Sequence, residues 1–287
     1  PDNLTLASGT VSITSGFHNG EDVLAFTNNG TTMGNIAGVY NQQTGILSLT
    51  SANASATVVQ WQAALASVTY ANTSDSPNSA NRVIAFMVND GIDSSAIATQ
   101  TVTVTGMNDA PVVATTDVTG AVTELVTPVG NLTDSGTISF TDGDLTDIHS
   151  ISAVTASADS LGTLTPTLTT DTTGSGVGGM VTWNYSIAVS AVEYLAEGEQ
   201  KVETFRFSLL DGHGGSVERM VSVTITGTND TPVVANTDVT GGVTEMLIPS
   251  GNLTDSGTIS FTDADRNDLH SVSAVTASAG ADTNHHD

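Results

Sequence analysis

The chain has 287 residues, a formal net charge of −25 and no cysteine. This length predicts about two domains. A surface with 30 Asp and Glu residues against 5 Lys and Arg residues repels nucleic acid and anionic membranes, but it suits cations. Without cysteine, disulfides and cysteine-ligated zinc or iron–sulfur sites are excluded. No apolar run is long enough for a membrane span.

High net charge also accompanies disorder, but the sequence pattern favours a folded β protein. Aliphatic residues alternate with polar ones throughout, as in TVTVTGMND and VSVTITGTND. Within the first 107 residues one stretch departs from this alternation, because ATVVQWQAALASV at 56–68 has a locally helical pattern. Residues 83–109 then place a strand, an Asp-Gly turn and a second strand in that order, and residues 205–230 repeat the order.

Two acidic turns divide the chain. TVTVTGMNDAPVV at 101–113 and VSVTITGTNDTPVV at 221–234 each run from a strand through a Gly turn into Asn-Asp-x-Pro and a new apolar start. A strand that leads into an acidic turn with a rigid proline is typical of an interdomain joint. We therefore expect boundaries near 108 and 229, with domains at 1–107, 108–229 and 230–287.

Residues 108–229 predict a complete β-sandwich. Apolar residues alternate with Thr and Ser, and Gly, Asp and Asn cluster between the candidate strands. These strands lie at 136–140, 161–170, 180–189, 203–210 and 216–226. About seven short strands in ~100 residues are typical of an antiparallel sandwich. One stretch between them, SAVEYLAEGEQ at 190–200, has a locally helical pattern. This stretch and the one at 56–68 are both short, and either could form a single crossover turn instead of a helix.

A long internal repeat relates the second predicted domain to the third. Residues 111–157 and 232–278 align without a gap, and 36 of the 47 positions are identical. The offset of 121 residues is the size of a whole domain, so the repeat predicts a linear array of modules. The third copy lacks the later strands, and we expect it to be incomplete. The predicted fold class is all-β, with tandem antiparallel immunoglobulin-like β-sandwiches in a linear array, the last one incomplete.

The strongest chemical signal is an acidic run that occurs in both copies of the repeat. It reads Phe-Thr-Asp-x-Asp-x-x-Asp-x-His, and its carboxylates are Asp142, Asp144 and Asp147, then Asp263, Asp265 and Asp268. Carboxylates this close repel one another unless a cation lies between them, and calcium takes about six to eight oxygen ligands. The joints and turns supply further candidate ligands: Asn108, Asp109, Glu124, Asp211, Asn229, Asp230 and Glu245. We predict calcium; the alternative is a solvated acidic loop that binds no metal.

Two patterns that could indicate an enzyme have structural interpretations instead. Residues 174–179 fit Gly-x-Gly-x-x-Gly, but a strand follows rather than a helix, so they predict a hairpin tip. Asp211, His213 and Ser216 lie within one Gly-rich turn, which does not favour the geometry of a hydrolase triad. We predict no catalysis within this chain.

Four aromatic residues could also belong to binding sites. His149 and His270 follow the acidic runs, but we interpret them as strand-surface residues rather than zinc ligands. Trp61 and Trp183 could be platforms for sugars, but each lies in an apolar pattern that favours core packing.

The joint motifs resemble those of cadherins. The segment Asn-Asp-x-Pro-Val resembles the cadherin linker that ligates calcium between domains, and the Asp-x-Asp pairs resemble the cadherin Asp-x-Asp motif. Glu124 lies where cadherins have a Glu in an early strand, and residues 193–199, EYLAEGE, loosely resemble their Asp-Arg-Glu region.

A second resemblance covers most of the chain. Residues 111–230 resemble the VCBS repeat of large bacterial surface proteins through GTISFTDGDLTDIHS, SLGTLTPTLTTDTTGSG, VTWNYSI, EYLAEGEQKVETF and DGHGGS. Residues 1–107 resemble the cadherin-like modules that neighbour such repeats, without the first strand of that module.

These resemblances imply a calcium-stiffened extender or adhesion segment of a secreted or surface-anchored bacterial protein. They imply an extracellular or cell-surface location, and adhesins of the repeats-in-toxin type that use type I secretion. The expected partners are calcium ions and neighbouring repeats of the same chain. Two alternatives remain: a module that binds glycans or a partner cell, and an accessory region of a secreted enzyme.

Overall fold

The computed structural model describes residues 4–127, 129–244, 247 and 250–277. Within these residues the chain is built almost entirely of β-strands, which confirms the predicted all-β class. We call residues 4–107 the first module, residues 108–229 the second module, and the described residues from 230 onward the third module. Among the described residues, no helix has the length and apolar character needed to cross a bilayer.

The first module contains seven strands around one helix. The strands are β1 (Ser8–Ser15), β2 (Asp22–Ala25), β3 (Ile36–Asn41), β4 (Ile46–Ser51), β5 (Thr69–Asn72), β6 (Arg82–Asn89) and β7 (Ala98–Val102). They form one sheet in the order β3-β4-β1-β6-β7 and a smaller sheet that pairs β2 with β5. Every strand pair is antiparallel.

The helix predicted at 56–68 is confirmed as α1 (Val58–Ala66), which follows a short 3-10 turn at Ala52–Ala54. Thr57 begins α1 with a capping box, in which its side chain accepts from the Gln60 N–H and the Gln60 side chain accepts from the Thr57 N–H. Trp61 is buried on the inner face of α1, and its indole N–H donates to the Leu6 carbonyl at 3.0 Å. The interpretation of Trp61 as a core residue is therefore confirmed.

The second module is a sandwich of two sheets. Its strands are β8 (Val112–Thr116), β9 (Thr119–Thr123), β10 (Asn131–Thr141), β11 (Ser150–Ile151), β12 (Thr155–Ala156), β13 (Thr163–Thr170), β14 (Gly179–Ala188), β15 (Gln200–Leu210) and β16 (Ser216–Thr226). One sheet has the order β13-β14-β10-β8, and the other has the order β11-β15-β16-β9 with β12 also paired to β15. Gly174, Gly176 and Gly178 lie in the loop between β13 and β14, as the hairpin prediction required, and Gly179 begins β14.

One detail of the second module differs from the sequence predictions, because the β9–β16 pair is parallel. Two residues separate β8 from β9; over this short distance the chain crosses from one sheet to the other, and β9 then runs beside β16. At 190–200 the structure agrees with the alternative of a single turn rather than a helix, since a 3-10 turn forms at Val189–Ala191. The amide of Gly198 donates to the Gly227 carbonyl, which ties this segment to the end of β16 instead of to a helical turn.

The core of the second module lies between its two sheets. Alternate residues of β14 point inward, and Trp183 among them is fully buried, which confirms its interpretation as a core residue. The indole N–H of Trp183 donates to the Asp117 carbonyl at 2.6 Å. Gly136 on the neighbouring strand leaves room for the ring, since a Cβ there would lie 2.5 Å from the Trp183 Cζ2 atom. The tight packing explains why the sequence places glycine at this position.

The third module has one described strand pair, β17 (Val233–Thr237) with β18 (Ile259–Thr262). Ile259 and Phe261 are 61% and 49% exposed, whereas the equivalent Ile138 and Phe140 of the second module are 2% and 1% exposed. The difference arises because no second sheet covers β17 and β18 within the described residues. This arrangement agrees with the predicted incomplete last module.

Candidate metal sites at the two joints

The acidic run of the second module folds into a tight turn directly after β10. The Asp144 N–H donates to Asp142 Oδ1 at 2.9 Å, and the Asp147 N–H donates to the Asp144 carbonyl at 3.1 Å. These bonds turn the chain back so that one carboxylate oxygen from each of the three residues lies within 4.8 Å of the others. The turn therefore brings three carboxylates to one place, and two of them, Asp142 and Asp147, are buried.

The joint between the first and second modules lies against this turn. The Asp109 N–H donates to Asp144 Oδ2 at 2.6 Å, and the Asn108 side-chain amide donates to Asp211 Oδ2 at 2.9 Å. Six of the residues predicted as ligands thus meet around one acidic cluster. We call this group the first joint site: Asn108, Asp109, Asp142, Asp144, Asp147 and Asp211.

Asp211 has a supporting role in the turn between β15 and β16. Its Oδ1 atom accepts hydrogen bonds from the amides of His213, Gly214 and Gly215 at 2.8, 3.0 and 3.0 Å. Burial opposes ionisation, but the hydrogen bonds from Asn108 and these amides outweigh it, so the pKa of Asp211 lies below its usual value. The interpretation of residues 211–216 as a turn that holds a carboxylate, rather than a triad, agrees with this geometry.

Asp147 has the least favourable environment for a charged carboxylate in the first joint site. Its Oδ1 atom lies 2.9 Å from His213 Nδ1, while its Oδ2 atom is buried and has no hydrogen-bond partner among the described residues. Burial raises the pKa of Asp147, the nearby His213 lowers it, and the charges of Asp142, Asp144 and Asp211 raise it further. A buried carboxylate oxygen without a donor is costly unless a cation completes its environment.

The strand-surface interpretation of His149 is wrong. The ring is buried and lies between two carboxylates, with Nδ1 2.6 Å from Asp171 Oδ1 and Nε2 3.0 Å from Asp142 Oδ2. The backbone N–H of His149 also donates to Asp171 Oδ2, at 3.0 Å. His149 therefore orients Asp142, and it lies inside because the acidic turn folds back over the ring of Phe140, whose centroid is 4.9 Å away.

The second joint, between the second and third modules, gathers carboxylates from distant parts of the sequence. One oxygen from each of Glu124, Glu193 and Asp230 lies within 4.8 Å of the other two. Asp265 joins them, because its Oδ2 atom accepts from the Asp230 N–H at 2.7 Å. We call these four residues the second joint site. Each has a buried side-chain oxygen without a hydrogen-bond partner in the described structure: Glu124 Oε1, Glu193 Oε1, Asp230 Oδ2 and Asp265 Oδ1.

The electrostatics of the second joint site indicate repulsion. Burial raises the pKa of Glu124, and the charges of Glu193, Asp230 and Asp265 raise it further, while a hydrogen bond from the Thr228 amide at 2.9 Å lowers it. Burial and the charges of Asp230 and Asp265 likewise raise the pKa of Glu193. The pKa of Asp230 is raised by burial first and then by Asp265 and Asp263. All three groups therefore gain from a positive charge at this position.

Neighbouring residues support the second joint site without completing it. Asp263 Oδ1 accepts from the Asp265 N–H at 3.0 Å, and Asp263 Oδ2 lies 2.7 Å from His270 Nε2. The hydrogen bond from His270 is the main reason that the pKa of Asp263 lies below its usual value. The Asn229 side-chain amide donates to the Asp230 carbonyl at 2.7 Å, which holds the linker turn.

Some predicted ligands stand apart from these sites, and one site residue was missing from the prediction. Asp268 contacts Asp265 through its backbone, at 3.5 Å, and is not one of the four residues of the second joint site. Glu245 lies outside the described residues. Glu193 was not predicted as a ligand, although its stretch loosely resembles a cadherin calcium motif. The assignment of metal ligands remains a prediction at both joints.

The donor set fits calcium. The second joint site offers four carboxylates, each with one buried oxygen that has no hydrogen-bond partner in the described part of the chain. Carboxylate oxygens are the hard donors that calcium takes in sites of variable geometry. Zinc and copper sites in proteins use imidazole or thiolate ligands. The chain has no cysteine, and none of the four residues is a histidine. The residues present thus meet the requirements of a calcium site at this joint.

No family model matches the chain, and no curated protein matches it. Several solved structures of tandem cadherin domains are similar: mouse clustered PcdhgC3 EC1-3 (12% identity over 90% of this chain, TM-score 0.33), protocadherin gamma C5 EC1-3 (14%, 85%, 0.34) and human CDH23 EC21-23 (16%, 92%, 0.27). The chain spans 66%, 67% and 70% of those structures. Similarity this low does not indicate which ligand or partner this chain binds. The fold and its acidic clusters define the class: an all-β protein of tandem modules.

Proposed function

We propose that this chain is a calcium-stiffened extender or adhesion segment of a secreted or surface-anchored protein. The observation that carries the proposal is the set of four buried carboxylate oxygens at the second joint site that have no hydrogen-bond partner among the described residues. Buried polar atoms in proteins nearly always have a partner, so four together call for a missing ligand. A divalent cation is the ligand that satisfies all four at once.

The placement of the four residues couples the modules. Glu124 follows β9 and Glu193 follows the 3-10 turn, so both belong to the second module, whereas Asp230 lies in the linker and Asp265 in the third module. An ion bound to all four fixes the position of the third module relative to the second. Without the ion, the same charges repel and the linker is free to open. Part of the free energy of calcium binding therefore becomes free energy of orientation.

The first joint site extends the same mechanism to the first two modules. Its carboxylates meet the linker residues Asn108 and Asp109, and Asp147 has an unpartnered buried oxygen. An array with metal at both joints resists bending, as required for a spacer that holds a binding tip away from a surface. The resemblance of residues 111–230 to the VCBS repeat supports an extracellular location and a bacterial adhesin as the parent protein.

The test compares the full chain in millimolar calcium chloride and in EDTA. Thermal unfolding reports stability, and small-angle X-ray scattering reports the dimensions of the particle. We expect a higher unfolding midpoint and a longer, stiffer particle in calcium, because bound ions replace repulsion at the joints. Magnesium at the same concentration is the control for ionic strength, since it keeps its own water and fits flexible all-protein sites poorly.

Equal midpoints and equal dimensions in calcium and EDTA would refute the proposal. The acidic clusters would then be solvated loops, and the alternative of a module that binds a glycan or a partner cell would take its place.

A further inference from the structure

The two copies of the acidic run differ at four positions: the conservative pair Ile148 and Leu269, and three neighbouring positions that change in character. The residues Gly143, Leu145 and Thr146 of the first copy correspond to Ala264, Arg266 and Asn267 of the second. The carboxylates between and around them are the same in both copies. The acidic run thus keeps its candidate ligands, and it varies in the residues that alternate with them.

At the first joint, positions 143 and 145 lie against the first module. The backbone N–H of Leu145 donates to Ser76 Oγ at 3.3 Å. A Cβ atom on Gly143 would lie 3.3 Å from the Asp75 Cβ atom, which is closer than most Cβ contacts in proteins. Glycine at 143 therefore suits the close approach of the Asp75-Ser76 corner.

At the second joint, Arg266 and Asn267 contact the second module through their side chains. The Arg266 guanidinium carbon lies 4.7 Å from the centroid of the Tyr194 ring. The backbone N–H of Arg266 also donates to the Tyr194 carbonyl, at 3.4 Å. The Asn267 side-chain amide donates to Glu199 Oε2 at 2.9 Å. Tyr194 itself packs against the core of the second module, so the ring is a fixed platform.

We propose that these three positions form a docking surface that fits each acidic turn to the module before it. Arg266 and Asn267 act as a latch for a preceding module that presents Tyr194 and Glu199. Gly143 and Leu145 instead fit a preceding module that presents a small polar corner such as Asp75-Ser76. The latch uses a cation–π contact and a hydrogen bond, neither of which needs a metal ion.

The charge distribution supports a role for Arg266 at this joint. The chain has only five Lys and Arg residues, and Arg266 is the only one after residue 230. It lies next in sequence to Asp265, whose neighbours have raised pKa values from mutual repulsion. A cation held over Tyr194 offsets part of this repulsion when no metal is bound. The inference thus goes beyond calcium binding, because it concerns which modules can be neighbours.

The test measures the spread of distances across the second joint in the full chain. Because the chain has no cysteine, Val202→Cys and Val239→Cys place two spin labels on exposed positions, one in each module. Double electron–electron resonance then compares this labelled chain with the same chain carrying Arg266→Leu and Asn267→Thr, which are the residues of the first copy. Both proteins are measured in EDTA and in calcium.

In EDTA we expect the substituted chain to show a broader distance distribution, with the docked fraction relative to the open fraction reduced about two- to fivefold. Addition of Tyr194→Leu to the substituted chain should cause little further broadening, because the partner is already absent. The matched control is Arg206→Leu, which removes one exposed cation from the second module away from the joint.

Equal distributions for the parent and substituted chains in EDTA would overturn the latch, as would equal broadening by Arg206→Leu. The comparison is independent of the calcium proposal, which fails instead if the parent chain has the same distribution in calcium and in EDTA.

Discussion

Replacement of Glu193 by glutamine should change the stability of the protein in opposite directions with and without calcium. Glu193 is half-buried at the second joint, and its Oε1 atom is buried without a hydrogen-bond partner among the described residues. Its pKa is raised by burial and by the charges of Asp230 and Asp265. Glu193→Gln removes one negative charge but keeps the size of the side chain. In EDTA the substitution relieves repulsion, whereas in calcium it removes a candidate ligand.

The structure sets the size of both effects. Carboxylate oxygens within 4.8 Å of one another repel by about 3 kcal/mol per pair of unit charges at an effective dielectric constant of about 20. Partial exposure and salt reduce this, so we expect Glu193→Gln to stabilise the calcium-free protein by about 1–2 kcal/mol. In calcium, loss of one charged ligand should weaken binding at this joint by about tenfold or more, since ligand charge sets calcium affinity.

The assay is thermal unfolding in EDTA together with calorimetric titration of calcium. Glu197→Gln is the matched control, because it removes the same charge from an exposed position four residues away. An unfolding midpoint in EDTA no higher than that of Glu197→Gln, or an unchanged calcium affinity, would refute the assignment of Glu193 to a metal site.

Three further predictions concern the two cores. Asp22 is buried, and although burial opposes its ionisation, hydrogen bonds led by that from Tyr70 and including Arg82 hold its pKa below the usual value. The stabilising contribution of Asp22 is therefore present above the unfolded pKa of about 3.9 and is lost as the pH falls towards the lower folded pKa. Asp22→Asn should consequently reduce the loss of unfolding free energy as the pH falls through this range. Trp183→Ala should destabilise the second module by about 3–5 kcal/mol in denaturant unfolding, and a loss below 1 kcal/mol would contradict its core role. Glu203→Gln should cost about 1–3 kcal/mol in the same assay, because its buried carboxylate accepts three hydrogen bonds and an amide has one acceptor oxygen; an unchanged midpoint would argue against this network.

The regular parts of the fold were accessible from local patterns. Alternation predicted the long strands of the second module, since the strand predicted at 216–226 coincides with β16. In the first module, the helical pattern at 56–68 contains α1. The pattern at 190–200 left a helix and a single turn as alternatives, and local spacing could not decide between them, because the apolar residues pack into the sandwich core from a series of turns. The parallel pairing of β9 with β16 could not be predicted from the sequence, because it depends on which sheet β9 joins.

The two candidate metal sites also differ in how far the sequence could predict them. The Asp-x-Asp-x-x-Asp spacing brought Asp142, Asp144 and Asp147 together through local turns, and a sequence pattern can predict such a cluster. The convergence of Glu124, Glu193 and Asp230 spans more than 100 residues and requires the complete sandwich. The burial of His149 also depends on Asp171, which arrives from the end of a different strand.

By itself, the sequence determined the all-β class, the 121-residue repeat and the acidic character of the joints, because alternation, identity and charge are properties of neighbouring residues. Only the tertiary structure decided which carboxylates meet, which of their oxygens lack a donor, and which modules contact Leu145 and Arg266. These features depend on the distance between residues far apart in the chain. That distance follows from how the sheets pack, and no local pattern contains it.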